Sequence, residues 1–176
     1  NPEFLREKHA NYDFENTKIL ILGGEKEDCK KVASIYKNHS ICKTQKFHIV
    51  DLATASFIKY SINTFLATKV IYFNELFNLF SELETNDSWQ KVIDIISRDE
   101  RLGSSHMNVP GHDGKRGFGG ACFPKDSIAL IKFAESMQID LSVLKSAVRT
   151  NNQIRTTYDD LDDREKEQNI SYDGKI

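Results

Sequence analysis

The sequence predicts a mainly α fold, in which a short βαβ edge of an incomplete parallel sheet precedes a central helical domain with one long helix. Two observations carry this prediction. Near the start, two short apolar runs flank an amphipathic stretch. A stretch of about 30 residues, 54–84, then lacks Gly and Pro and has apolar residues every three or four positions. We expect residues 1–52 to form the edge and residues 53–161 to form the helical domain.

The βαβ edge is predicted from two runs, "KILILGG" at 18–24 and "KFHIVDL" at 46–52, which are typical of short buried strands. Between them Val32, Ile35 and Tyr36 recur at helical spacing. Strand, helix and strand make one unit of a parallel sheet. Because two strands form a poor sheet by themselves, we expect the rest of the sheet to be missing from this chain.

The long helix predicted for residues 54–84 would be roughly 45 Å long, with Thr54 or Ser56 as its cap. Its apolar stripe is wide, since further aromatic and aliphatic side chains lie outside the narrow seam. A helix of this kind usually packs against more than one neighbour. We expect one neighbour to be a second copy of the chain, which would give a homodimer through this helix.

The second half is predicted to contain three shorter helices and one long loop. "SWQKVIDIISRD" at 88–99 predicts the first helix, and 124–138 and 140–161 predict the other two. Residues 103–124 predict a loop, because they hold six of the nine glycines and two of the three prolines. Loops of this length are often functional. The charged tail, 162–176, predicts a fraying helix end or disorder.

Composition excludes several classes of partner. A net charge of −2 argues against binding nucleic acid or a membrane surface, and no apolar run approaches the roughly 18 residues of a membrane span. Three widely spaced cysteines, Cys29, Cys42 and Cys122, do not form a disulfide framework, so we expect a reducing, cytoplasmic location. The spacing of His106 and His112 in the loop suggests no metal site.

The stretch "GFGGACFPKD" at 117–126 places Cys122 at the end of a glycine run, just before a predicted helix that Pro124 should start. A thiol near the positive end of a helix dipole, with Lys125 close by, favours the thiolate. Glycine N–H groups could also hold an oxyanion or a phosphate. Two interpretations stay open from the residues alone, an activated nucleophile and a small buried hydrophobe at a tight turn.

The same stretch, 117–126, resembles the catalytic-cysteine motif of the UDP-glucose dehydrogenase family, within the UDP-glucose/GDP-mannose dehydrogenases. Four further blocks resemble the family in the family's own order. They are "NPEFLRE" at 1–7, "FIKYSINTFLATKVIYFNEL" at 57–76, "RDERLGSSHMNVPGHDGKRGFGG" at 98–120 and "VRTNNQIR" at 148–155. Because these blocks extend over about 150 residues, the resemblance is specific.

The resemblance implies that the chain joins the last edge of a Rossmann-like NAD-binding domain to a central domain that dimerises. Family members oxidise the C6 alcohol of a sugar nucleotide to an aldehyde and then to a carboxylate, with reduction of two NAD+. A UDP-sugar is thus the implied partner, with UDP-glucose to UDP-glucuronate as the preferred reaction. Since no G-x-G-x-x-G motif follows a strand, we expect this chain to be a fragment that is inactive alone.

The resemblance also implies roles for individual residues. Cys122 would be the nucleophile that adds to the aldehyde, and Asp126 would help to activate the hydrolytic water. Lys125 would lie by the cofactor, and Arg101 matches the arginine that reaches a neighbouring subunit's substrate. The resemblance also gives catalytic roles to Lys59, Asn63 and Glu3. It implies substrate contacts by Phe4, Leu5, Arg6, Glu7, Lys59, Asn63, Arg101, Gly117, Phe118 and Gly119.

Less specific interpretations remain for these residues and for the chain. Lys59 and Asn63, four apart on one helical face, could belong to a solvated surface, and Glu3 and Glu7 could be surface charges. The whole chain could be a non-catalytic dimerisation or binding module derived from the family. A standalone thiol hydrolase is disfavoured, because no histidine stands beside Cys122 in the sequence.

Overall fold

A computed structural model describes residues 1–6, 9–44 and 46–173 and confirms the mainly α fold. It divides into two compact units, Asn1–Ile62 and Asn63–Ile176, and one long helix contributes residues to both. The strands are β1 (Leu20–Gly23) and β2 (Phe47–Val50). The helices are α1 (Ala10–Asn16), α2 (Lys26–His39), α3 (Leu52–Ser81), α4 (Trp89–Ile96), α5 (Cys122–Ser136), α6 (Ser142–Arg155) and α7 (Asp163–Glu167).

The first unit contains the predicted βαβ arrangement. Strands β1 and β2 pair in parallel, with Leu20 opposite Phe47 and Gly23 opposite Val50, and α2 connects them. Strand β1 is buried over Leu20 to Leu22, whereas β2 is partly exposed. The start of the chain lies against β1, because the Asn1 side-chain amide donates a hydrogen bond of 2.6 Å to the Ile21 carbonyl.

The long helix α3 begins two residues earlier than the sequence predicts, and its cap differs. Asp51 accepts hydrogen bonds from the Thr54 backbone N–H at 2.7 Å and from the Thr54 hydroxyl at 3.0 Å. These bonds hold the pKa of Asp51 below its usual value. The prediction of Thr54 or Ser56 as the cap is therefore wrong, because the acidic residue just upstream satisfies the first free N–H groups of the helix.

Two hydrophobic clusters form the interior of the second unit. The first joins α3, α5 and α6 and contains the buried side chains of Ala67, Ile71, Phe118, Ile131, Leu144, Ala147 and Val148. The second joins α3 and α4 to the long loop through Phe73, Ile93, Met107 and Val109. The loop is thus anchored by apolar side chains, since Met107 is only 1% exposed.

The tail differs from the fraying or disordered segment that its charge predicts. Residues Asp163–Glu167 form α7, which begins with a capping box between Asp162 and Glu165. Glu165 is fully buried, and Tyr172 is 7% exposed. The charges order the tail because they pair inside the fold; residues 174–176 lie outside the described part of the chain.

None of the helices formed by residues 1–6, 9–44 and 46–173 has the combination of length and hydrophobicity needed to cross a membrane.

Candidate active site

Cys122 is the first residue of α5, and its side chain is exposed. The helix starts at the cysteine itself, and Pro124 occupies the first turn, where its missing N–H is not needed. The other two cysteines, Cys29 and Cys42, are buried thiols. The exposure of Cys122 excludes the interpretation of this residue as a small buried hydrophobe, and it leaves the sulfur accessible to a substrate.

One helical turn after Cys122, the carboxylate of Asp126 is only 1% exposed. Its Oδ2 accepts a hydrogen bond of 2.6 Å from the Asn63 side-chain amide of α3, and its Oδ1 accepts one from the Lys125 ammonium. The structure therefore brings together Asn63, Lys125 and Asp126, three of the residues that the resemblance selects. Residues four apart on a helix share a face, so this buried carboxylate lies on the same side of α5 as the thiol.

In the first unit, Lys59 of α3 pairs with Glu3. The Lys59 Nζ lies 2.9 Å from the Glu3 Oε1, and the Glu3 Oε2 accepts the Leu5 backbone N–H at 2.9 Å. The glutamate thus links the start of the chain to the long helix. Phe4 and Leu5 beside it are half-buried. Glu7, also predicted to contact substrate, lies outside the described residues.

Arg6 and Arg101, both predicted to contact substrate, form local ion pairs. The Arg6 guanidinium donates to Asp13 at 2.6 and 2.9 Å, and its backbone N–H donates to the same carboxylate. These hydrogen bonds lower the pKa of Asp13 to about 2. The Arg101 guanidinium donates to both oxygens of Asp99 at the surface. A substrate group would have to displace or extend these contacts.

Three backbone amides of the glycine loop donate to buried side-chain oxygens. The bonds join Gly117 to Asn74 at 3.1 Å, Phe118 to Asn151 at 2.6 Å and Gly120 to Glu165 at 3.1 Å. The prediction that the glycine N–H groups hold an oxyanion or a phosphate is wrong for Gly117 and Gly120, because the protein's own side chains occupy them.

Two of the loop glycines are required by close packing within the fold. A Cβ atom at Gly117, whose φ is +74°, would lie 2.6 Å from the Asn151 Oδ1. A Cβ atom at Gly119 would lie only 1.9 Å from the Arg155 Nη2. The glycines thus let the backbone approach buried polar side chains.

Behind the loop lies a polar network that sequence reasoning missed. The Arg155 guanidinium pairs with Asp113 at 2.8 Å and with Glu165 at 2.9 Å, and the Tyr172 hydroxyl donates to Glu165 at 2.5 Å. The highly charged composition of the tail predicts a fraying helix end or disorder rather than this network. The available signal was the Asp162–Glu165 spacing of a capping box.

Across residues 1–6, 9–44 and 46–173, no group of three or more His, Cys, Asp or Glu side chains is arranged to hold a metal ion.

The family model described as the UDP-glucose/GDP-mannose dehydrogenase family, central domain, matches residues 53–153. The matched range includes all of α3 except its first residue, the glycine loop, Cys122 and most of α6.

Named relatives and a solved structure agree with this match. UDP-glucose 6-dehydrogenase of Rickettsia felis is 34% identical over 154 residues, which are 87% of this chain and 33% of the relative. GDP-mannose 6-dehydrogenase of Pseudomonas syringae is 33% identical over 162 residues, 90% of this chain and 35% of the relative. The structure of a UDP-glucose dehydrogenase from the archaeon Pyrobaculum islandicum has a TM-score of 0.72 and 30% identity, and covers 87% of this chain and 33% of that one.

The chain spans about a third of the length of these relatives. The family-model match, the relatives and the shared fold lead to one conclusion. The chain belongs to the UDP-glucose/GDP-mannose dehydrogenase family, whose central domain it contains.

Proposed function

We propose that this chain supplies the nucleophile and the hydrolytic machinery of a nucleotide-sugar 6-dehydrogenase, with UDP-glucose as the preferred substrate and UDP-glucuronate as the product. The observation that carries the proposal is the exposed Cys122 thiol at the start of α5, one turn before the buried carboxylate of Asp126. Relatives named as UDP-glucose and GDP-mannose 6-dehydrogenases support the reaction class.

In this mechanism the Cys122 sulfur bonds to the C6 aldehyde carbon, and the aldehyde oxygen is protonated to give a thiohemiacetal. Bound NAD+ would supply the hydride acceptor for both oxidations, and Cys122 would carry the product of the second oxidation as a thioester. Water then attacks the thioester carbon, the C–S bond breaks, and the carboxylate and the free thiol are released. A thiolate suits both steps, because it is a strong nucleophile and then a good leaving group.

We assign to Asp126 the role of accepting the proton of the hydrolytic water. Its carboxylate is buried and held by the Asn63 amide and the Lys125 ammonium, so its orientation is fixed. A fixed carboxylate can accept a proton from a water molecule as that water attacks. Lys125 remains the residue of α5 that we assign to the cofactor side, where it would have to exchange its bond to Asp126 for one to the cofactor.

Lys59 and Glu3 are proposed to act on the first oxidation. The Lys59 ammonium can stabilise a developing alkoxide, and Glu3 can accept the alcohol proton. The Lys59 Nζ and the Glu3 Oε1 lie 2.9 Å apart and form an ion pair. The proposed substrate contacts remain Phe4, Leu5, Arg6, Glu7, Arg101, Gly117, Phe118 and Gly119. For Gly117 and Phe118 the proposal is limited to groups other than the N–H, because Asn74 and Asn151 accept hydrogen bonds from those N–H groups.

A complete dinucleotide site does not fit the residues present, because the 176-residue sequence contains no G-x-G-x-x-G and Lys125 is already bonded to Asp126. We therefore propose that these 176 residues alone do not reduce NAD+. The test is NADH absorbance after mixing the purified chain with UDP-glucose and NAD+. Steady NADH production would contradict the proposal.

The role of the cysteine is tested by Cys122→Ser in the full-length protein encoded by the reading frame that contains this chain. We expect UDP-glucuronate formation to fall by on the order of 10³-fold or more. Cys42→Ser, which removes a buried thiol, is the control and should keep the activity. An unimpaired Cys122→Ser enzyme would refute the nucleophile.

A homodimer through the long helix is the second part of the proposal. Phe65, Tyr72 and Leu79 recur every seven residues along α3, and each side chain is more than half exposed. Side chains seven apart lie on one face of a helix, so a second copy of the chain could cover them.

The same exposed face of α3 is also compatible with the alternative function, a non-catalytic dimerisation module. A G-x-G-x-x-G domain encoded beside these residues would favour the enzyme.

A further inference from the structure

The carboxylate of Glu165 lies fully buried in the second unit and accepts four hydrogen bonds. Three donors meet at its Oε1 and one at its Oε2. The donors to Oε1 are the Gly120 N–H at 3.1 Å, the Arg155 guanidinium at 2.9 Å and the Tyr172 hydroxyl at 2.5 Å, and the donor to Oε2 is the Asp162 N–H at 2.8 Å. One oxygen atom of Glu165 therefore accepts hydrogen bonds both from Gly120 of the glycine loop and from Tyr172 of the tail.

The surroundings keep this carboxylate charged. Burial acts to raise the pKa of Glu165, but the hydrogen bonds from Tyr172, Asp162, Gly120 and Arg155 together outweigh it and lower the pKa below its usual value. Burial and the bond to Glu165 raise the pKa of Tyr172, so its hydroxyl remains a donor. The oxygen that faces Gly120 is thus a fixed, negatively charged acceptor.

The ion pair packs directly on the backbone that leads to Cys122. A Cβ atom at Gly119 would lie 1.9 Å from the Arg155 Nη2 and 2.5 Å from the Glu165 Oε1. Gly120, with φ of +73°, follows in the left-handed region, and Cys122 begins α5 two residues later. The position of the carboxylate therefore constrains the turn from which the thiol projects.

We propose that Glu165 is a positioning residue for Cys122, and that its carboxylate fixes the Gly120 amide and thereby the direction in which the chain enters α5. The importance of this placement for turnover rests on the proposed role of Cys122 as the nucleophile. Glu165 acts through the backbone, from a segment 43 positions along the chain.

Stabilisation of the tail alone does not account for the contact. The capping box of α7 uses the Glu165 Oε2 and the Asp162 side chain, so the helix start is satisfied without Oε1. Buried ion pairs often add little net stability compared with apolar packing, because desolvation is costly. The additional hydrogen bond to Gly120 is the feature that the positioning role explains.

The test uses the 176-residue chain with Glu165→Ala, and with Glu167→Ala as the matched control. Glu167 lies on the same helix, has the same charge and is exposed. Two properties are measured, the hydrogen-exchange rate of the Gly120 amide relative to that of Phe118, and the alkylation rate of Cys122 by iodoacetamide. The buried thiols of Cys29 and Cys42 should stay unreactive.

In Glu165→Ala we expect Gly120 exchange to rise about tenfold or more, with a smaller change at Phe118, because a local contact is lost. The Cys122 alkylation rate should change at least about threefold, and Glu167→Ala should match the unmodified chain. Glu165→Gln retains an oxygen for Gly120 and should return the alkylation rate to within about twofold. A purely structural role would not give this rescue.

The proposal is overturned if Glu165→Ala folds, by circular dichroism, and keeps either the original Gly120 exchange or the original alkylation rate. If Glu165→Ala does not fold, Tyr172→Phe replaces it. The Tyr172→Phe variant removes one hydrogen-bond donor to Glu165 and keeps the charges of Glu165 and Arg155. Faster Gly120 exchange in Tyr172→Phe supports the proposal, and an unchanged rate overturns it. None of these readouts needs turnover, so a failure of the Cys122→Ser test is distinguishable from a failure here.

Discussion

Replacing Gly119 by alanine should destabilise the second unit strongly, even though the residue does not need a left-handed backbone. The added Cβ would lie 1.9 Å from the Arg155 Nη2, 2.5 Å from the Glu165 Oε1 and 2.6 Å from the Arg155 Cζ. These atoms belong to a buried ion pair, with Arg155 only 3% exposed. The guanidinium therefore has no free direction in which to move.

The magnitude follows from the displacement required. Restoring an ordinary contact would move the Arg155 Nη2 by roughly 1.5 Å, which is enough to break its 2.9 Å bond to Glu165. Overpacking alone costs about 1–3 kcal/mol, and breaking a buried ion pair costs about 3–5 kcal/mol. We expect a loss of about 3 kcal/mol or more in the free energy of unfolding, which corresponds to a fall of roughly 6–12 °C in Tm.

The assay is thermal unfolding followed by circular dichroism, with Gly120→Ala as the control. A Cβ at Gly120 meets nothing within 4 Å, but φ there is +73°, so the expected cost is only the left-handed strain of about 1–2 kcal/mol. Gly119→Ala should therefore be the more damaging substitution. A Tm of Gly119→Ala equal to or above that of Gly120→Ala would refute the packing of Arg155 and Glu165 on the loop.

Three further predictions concern acid stability, strand packing and assembly. Because the pKa of Glu165 is lowered in the fold, its contribution is complete above the unfolded pKa of about 4.3 and is lost as the pH falls through the lower folded value. In Glu165→Gln, the free energy of unfolding measured with urea should fall less at acid pH. An unchanged fall would argue against a charged Glu165 carboxylate in the fold. Gly23→Ala would place a Cβ 2.6 Å from the Ala55 Cβ and should lower stability by about 1–3 kcal/mol; unchanged amide exchange in β1 would contradict this. Tyr72→Asp should reduce the light-scattering mass from twice 20.2 kDa to 20.2 kDa, and a persisting dimer would exclude this face of α3.

Periodicity predicted the regular elements well because it reflects burial directly. The apolar run of β1 and the three-and-four spacing of α3 both correspond to observed elements. The start of α3 was less predictable, because Thr54 and Asp51 are both good capping residues and only geometry shows that Asp51 accepts the N–H bond.

The sequence likewise predicted one part of the candidate site and not another. The pattern around Cys122 indicated a helix start but left open whether the thiol is exposed or buried, and the structure shows an exposed cysteine as the first residue of α5. The partners of the glycine loop could not be predicted, since Asn74 and Glu165 lie 43 and 45 residues from the amides that they accept. A charged tail also has the composition of a disordered segment until a buried partner such as Arg155 is known.

The central claim is that the Cys122 sulfur bonds to the oxidised sugar carbon. The direct measurement is peptide mass spectrometry of the full-length protein, quenched with acid during turnover of UDP-glucose and NAD+. The account predicts a sugar-nucleotide adduct, joined as a thioester, on the peptide that contains Cys122. An adduct on another residue, or turnover without any adduct on Cys122, would contradict it.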